Sequence, residues 1–148
     1  MFESAELGVV LGKDKFKKSS EKLRVELLEA QRRLARSQRS LIVLIGGVEG
    51  AGKSEFANRL LSWLDARGVE TCALWELSDE ERERPEYWRF WRRLPPTGRM
   101  SLFLSSWYTE PIVGRAFKTL GRARFDQKLD RVVDFERMLS QEGVIIVK

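Results

Sequence analysis

The sequence predicts one α/β domain with a parallel sheet covered by helices on both faces. Three observations lead there. The chain has 148 residues, enough for one hydrophobic core and too few for two ordinary domains. Short continuous apolar runs alternate with longer stretches of helical period, and parallel neighbours need crossovers of about a dozen residues or more. Between one such run and one such stretch, residues 47–54 read GVEGAGKS, which fits G-x-x-x-x-G-K-[ST].

No Gly or Pro interrupts residues 14–37, and Leu23, Leu27, Ala30 and Leu34 recur at helical steps, predicting a helix over about 14–38 with those residues inward. Ser40 to Gly46 (SLIVLIG) is short, apolar and β-branched, as a strand buried on both faces requires. After the glycine-rich turn, Phe56, Leu60, Leu61 and Leu64 mark a second helix, with Gly68 placed for a left-handed cap. Val69 to Trp75 reads as a strand and the acidic stretch after it as an exposed loop. A helix is expected from about Pro85 to Arg93, its Tyr87, Trp88, Phe90 and Trp91 serving mainly as packing surface, stopped by Pro95-Pro96 and Gly98. Arg99 to Leu104 is a third strand. Asp126 to Gln141 is a helix with Leu129, Val132, Val133, Phe135 and Leu139 inward, and Gly143 to Val147 a last buried strand. A core strand at this point calls for a covering helix after it, so the sequence reads as a truncated domain, or as part of a longer polypeptide.

Composition narrows the chemistry. With 43% hydrophobic and 33% charged residues the chain is neither disordered nor collagen-like. Its longest apolar run, Leu41 to Gly47, is far short of the roughly 20 residues that span a bilayer. The N-terminus lacks the pattern of a secretory signal, so the cytoplasm is the expected location. One cysteine, Cys72, and no histidine exclude an internal disulfide, an ordinary Cys/His zinc site and histidine general-base catalysis. Carboxylates, lysine, arginine, hydroxyls and backbone amides remain.

Charge is segregated. Residues 13–39 carry ten Lys or Arg against four acids, whereas residues 76–86 carry six acids against two arginines. A basic surface draws polyanions, and its long-range part does not select among them, so no specific nucleic acid is implied. In the 47–54 loop, Gly47, Gly50 and Gly52 supply the backbone freedom needed to turn amides toward one anion. Ala51 and the amides opening the next helix extend the cradle, Lys53 reaches terminal phosphate oxygens, and the Ser54 hydroxyl is placed to help hold Mg²⁺.

Beyond the loop, four segments carry a more specific likeness: LEAQRRLARSQRSLIVLIGG, RPEYWRFWRRLPPTGRMSLF, the Ser106-Trp107-Tyr108 tripeptide and FERMLSQEGVIIVK. On these the chain resembles the type 2 polyphosphate kinase family, in particular the N-terminal half of tandem-domain polyphosphate:AMP phosphotransferases. The resemblance implies a thymidylate-kinase-like, three-layer phosphate-loop fold. It implies phosphoryl transfer between inorganic polyphosphate and a nucleotide, AMP or ADP, with Mg²⁺. It also implies that the part missing after the last strand is a lid, and that a second domain lies in the same polypeptide; self-association is a further expectation. In site terms it makes Glu49 the counterpart of a family aspartate that holds metal or orients the acceptor phosphate. Lys53 matches directly, and Arg59 matches a basic residue on the following helix.

The chain departs from the pattern after strand three. The family motif Asp-Arg-Ser-Trp-Tyr reads Leu104-Ser105-Ser106-Trp107-Tyr108, and a downstream Asn-Arg pair reads Thr109-Glu110. Phosphoryl transfer rests on positioning and on cations that neutralise the moving group, so the domain is expected to be degenerate in catalysis. Glu76 and Glu110 are the acids placed to substitute, and Trp107 and Tyr108 the aromatics placed to stack on a base or to pack. Two other readings stay open: a non-catalytic polyanion-binding or structural module supporting a catalytic partner domain, and an ATP-dependent nucleotide kinase.

Overall fold

A computed structural model describes residues 10–74 and 76–148. Its elements run α1 (Lys13–Ala35), β1 (Ser40–Leu44), α2 (Lys53–Leu61), a 3-10 turn (Ala66–Gly68), β2 (Val69–Cys72), α3 (Asp79–Arg82), α4 (Trp88–Trp91), β3 (Met100–Phe103), α5 (Thr109–Ala116), α6 (Arg122–Gln141) and β4 (Val144–Val147). The four strands form one parallel sheet in the order β2-β3-β1-β4. Chain direction across the sheet reverses about β1, and a crevice at the carboxyl ends of the strands is the usual result.

Alternation along β1 divides the core between two faces. Ile42 and Leu44 meet Phe103, Trp107 and the α6 residues Val132, Phe135 and Leu139 on one side. Ile45 and Leu102 meet Ala57 of α2 on the other, with Val43, Leu60 and Leu104 against them. The result is three layers. In the α6 layer Trp107 is edge-on to Phe90 at 5.4 Å and to Phe135 at 5.1 Å, while Tyr87 stacks on Phe135 at 4.5 Å. Aromatic pairs in these geometries add about 0.5–1.5 kcal/mol each beyond the area they bury. Among the described residues, no helix is long and apolar enough to cross a membrane.

Several expectations are corrected. The first helix ends at Ala35, short of residue 38, and Leu23 and Ala30 are exposed; Leu27, Leu28, Gln31 and Leu34 make its half-buried side. Gln31 explains the difference, because its amide donates to Asp65 O and accepts from Asp65 N, both at 2.8 Å, docking only the last turns of α1. Gly68 is not a left-handed cap: α2 ends at Leu61, and Asp65 caps a separate 3-10 turn that contains Gly68. Phe56 and Val133 lie on the outer sides of their helices.

The strand expected to reach Trp75 ends at Cys72, and Trp75 itself lies outside the described residues. The expected Pro85 to Arg93 helix contracts to Trp88–Trp91, with Pro85 in the preceding turn, where its carbonyl accepts from Trp88 N at 2.9 Å. Trp91 is half exposed. β4, expected to be buried, lies at the edge of this sheet, half-buried through Val144 and Ile146 on its α6 side and with Ile145 and Val147 exposed on the other.

Candidate phosphate-binding site

Strand β1 delivers the 47–54 loop to the carboxyl edge of the sheet, and α2 starts as soon as the loop ends. Gly50 and Gly52 take left-handed backbone angles, φ 77° and 79°, that a side chain would strain. Gly47 is needed for room as well as for its φ of 157°, because an added Cβ would lie 3.3 Å from Ala51 Cβ and 3.5 Å from Lys53 Cγ. The loop closes through Ala51 N donating to Val48 O at 3.2 Å. Helix α2 has no side-chain cap at Gly52, and its ladder opens with Phe56 N donating to Gly52 O at 2.9 Å. The amides of Lys53, Ser54 and Glu55 precede that bond and have no acceptor within the helix, which leaves the positive end of the dipole at the loop.

Lys53 folds back over this loop. Its ammonium donates to Gly47 O at 2.8 Å and to Val48 O at 2.7 Å. The side chain thereby braces the loop from inside while staying half-buried, and a phosphate oxygen arriving above the loop would meet a cation already in place.

Gly47, Glu49, Gly50, Ala51, Gly52, Lys53 and Ser54 all line one crevice of about 710 Å³. The structure thus brings together all but one of the residues expected at the site. The exception is Arg59, which lies further along α2 outside the crevice lining and pairs with Glu55 at 3.7 Å on the helix surface. The opposite wall comes from the ends of β2 and β3, with Ala73, Leu74, Leu104 and Ser105, and from Thr109 at the start of α5. Sequence reasoning did not mark Ala73 and Leu74 as wall residues, because it placed them inside a strand that in fact ends at Cys72; Thr109 it noted only as a departure from the family pattern.

The end of β3 does structural work. Leu104 packs in the apolar cluster with Ile45, Ala57 and Leu102. Ser105 Oγ donates to Leu74 O at 2.6 Å, tying the β3 and β2 loops together. Trp107 is 3% exposed, and its indole N–H donates to Glu136 Oε1 at 2.9 Å, so it belongs to the core. The Tyr108 hydroxyl accepts from Lys148 at 2.6 Å. Glu76 and Glu110, the acids placed to substitute for a missing carboxylate, line a neighbouring cavity and not this crevice.

Residues 10–148 match the family model described as Polyphosphate kinase 2 (PPK2). The chain belongs to the polyphosphate kinase 2 family. It is 46% identical to a polyphosphate:AMP phosphotransferase of Pseudomonas aeruginosa over its whole length, covering 30% of that protein. It is 33% identical to ADP-polyphosphate phosphotransferase 2 of Rhizobium meliloti, over 85% of this chain and 41% of that one. A solved polyphosphate kinase 2 structure from Pseudomonas aeruginosa superposes with a TM-score of 0.92 at 45% identity, covering 99% of this chain and 32% of the other. The chain therefore spans about a third of the Pseudomonas aeruginosa proteins it matches, and its α/β phosphate-loop fold is that of the family.

Proposed function

We propose that this domain binds the phosphate chain of inorganic polyphosphate at Gly47–Ser54, as one part of a polyphosphate-dependent phosphotransferase acting on AMP or ADP, and that it does not transfer phosphate by itself. The observation that carries both halves is the crevice at the carboxyl edge of the sheet. One wall is the braced glycine loop; the other, at the end of β3, is committed to packing through Leu104 and Ser105.

In binding, the free amides at the start of α2 hold phosphate oxygens and Lys53 exchanges a loop carbonyl for an oxygen of the chain. Glu49 and Ser54 are the side-chain oxygen donors that the loop itself contributes to the crevice lining. They fit Mg²⁺, which takes one or two protein oxygens and completes its shell with water and substrate phosphates. Bound there, Mg²⁺ supplies charge neutralisation on the phosphate oxygens. The 148 residues act as one partial kinase-like domain, in the cytoplasm, beside a second domain of the same polypeptide that carries the reaction.

Transfer also needs cations and a carboxylate around the moving phosphoryl group. Among the described residues lining the crevice only Glu49 and Lys53 are charged. The test is incubation of the chain with radiolabelled polyphosphate, Mg²⁺ and AMP or ADP. Retention of polyphosphate without labelled nucleotide is expected, and accumulation of labelled nucleotide would contradict the proposal.

A further inference from the structure

Beside the loop crevice, and sharing Leu74, Ser105 and Thr109 with it as a common wall, lies a second cavity of about 770 Å³. Helix α6 contributes Lys128 and Arg131 to its lining. Two cations beside a phosphate loop would ordinarily make a second anion site, since a partly enclosed pocket concentrates their field.

Two carboxylates cancel them. Glu86 bridges both cations, accepting from Lys128 Nζ at 2.9 Å and from Arg131 Nη1 at 2.9 Å. Lys128 also donates to Glu110 Oε2 at 2.7 Å. Within this cluster Lys128 and Arg131 against Glu86 alone would leave one positive charge, which Glu110 removes; elsewhere in the lining Arg82, Arg84 and Arg89 stand against Glu76 and Glu81. The two acids differ in depth. The side chain of Glu86 is 32% exposed and that of Lys128 24%, whereas Glu110 is 69% exposed. Glu110 enters from the first turn of α5, where its charge also opposes the positive end of that helix.

The geometry points to Glu110 as a specificity-determining residue: its carboxylate occupies Lys128 and keeps the Lys128–Arg131 pair from holding phosphate-bearing ligands, so that removing it exposes an anion site at that pair. Glu86 stays in place as the carboxylate that orients both cations. The inference rests on the proposed loop function only for the class of ligand, because the cavity and its ion pairs are separate from Lys53.

The experiment is calorimetric titration with inorganic tripolyphosphate of the unaltered chain, Glu110→Gln, Glu110→Ala, and each of these combined with Lys53→Ala or Lys128→Gln. Circular dichroism and thermal melting report folding in every case. Either Glu110 substitution is expected to add a binding event at least tenfold tighter than any cavity binding by the unaltered chain. That event is expected to survive Lys53→Ala and to disappear with Lys128→Gln. If folded Glu110→Gln and Glu110→Ala both bind tripolyphosphate as the unaltered chain does, or if the gain persists without Lys128, the inference is overturned. Failure of the loop reading shows differently, as loop binding that ignores Lys53→Ala in the Glu110-containing chain.

Discussion

Glu136 receives the indole N–H of Trp107 on one carboxylate oxygen at 2.9 Å and the Lys148 ammonium on the other at 2.7 Å. One half-buried acid thus ties the turn after β3 to α6 and to the residue that follows β4. Lys148 also lies 4.8 Å over the ring of Tyr108, which closes the arrangement.

Trp107→Phe keeps most of the ring packing and deletes the bond to a charged acceptor, a loss of about 1.5–3 kcal/mol. Trp107→Ala empties the centre of the aromatic cluster and is expected to cost about 3–5 kcal/mol. Urea unfolding of the two variants should rank them in that order. Equal midpoints would place the stabilisation in the hydrogen bond and not in the ring.

The Asp65 carboxylate is held down to about 2 by the Arg67 guanidinium bonded to it, with the Arg67 amide adding to the effect. A carboxyl lowered on folding stabilises above its unfolded value, and the contribution fades as pH falls through the folded one. Asp65→Asn is therefore expected to lower the urea midpoint near neutrality and to match the unaltered chain only below about pH 2. A difference that persists there would show that lost packing, not charge, is responsible.

Burial pushes the Cys72 thiol up to about 11, and the Glu70 carboxylate pushes the same way. A thiol raised on folding favours the native state while protonated, so this contribution is lost as pH climbs from the unfolded value toward 11. Native protein is expected to react slowly with a thiol reagent at pH 8, and protein in concentrated urea rapidly. Equal rates would mean that Cys72 is open to solvent.

Much of this fold was legible because periodicity reports burial directly. Short β-branched runs such as SLIVLIG read as strands, and α2 and α6 follow their apolar period. Helix α5 was hidden by Pro111 and Gly114, yet Pro111 falls in its first turn, where a missing N–H costs nothing. Helix α3 was concealed by acidity, although Ser78 and Glu81 form a capping box whose spacing the sequence displays. The loop residues were readable because one turn of chain contains them. Glu86, Lys128 and Arg131 were not, since partners 42 and 45 residues apart leave no local pattern.

Gly47→Ala combines a backbone angle unfavourable to side chains with a Cβ tight against Ala51. It is expected to weaken polyphosphate binding at least tenfold while lowering stability by no more than about 1–2 kcal/mol, the scale of a single strained residue. Parallel titration and thermal melting separate the two effects. Unchanged affinity would show that the loop tolerates a different path.

The most direct test is polyphosphate affinity of the unaltered chain against Lys53→Ala, measured by titration at moderate, fixed salt. Lys53 braces the loop through Gly47 O and Val48 O and is the cation on the crevice wall. A fall in affinity of at least tenfold, with the melting temperature nearly unchanged, is the predicted result. Affinity equal to that of the unaltered chain would place polyphosphate elsewhere on the basic surface and contradict the assignment of Gly47–Ser54.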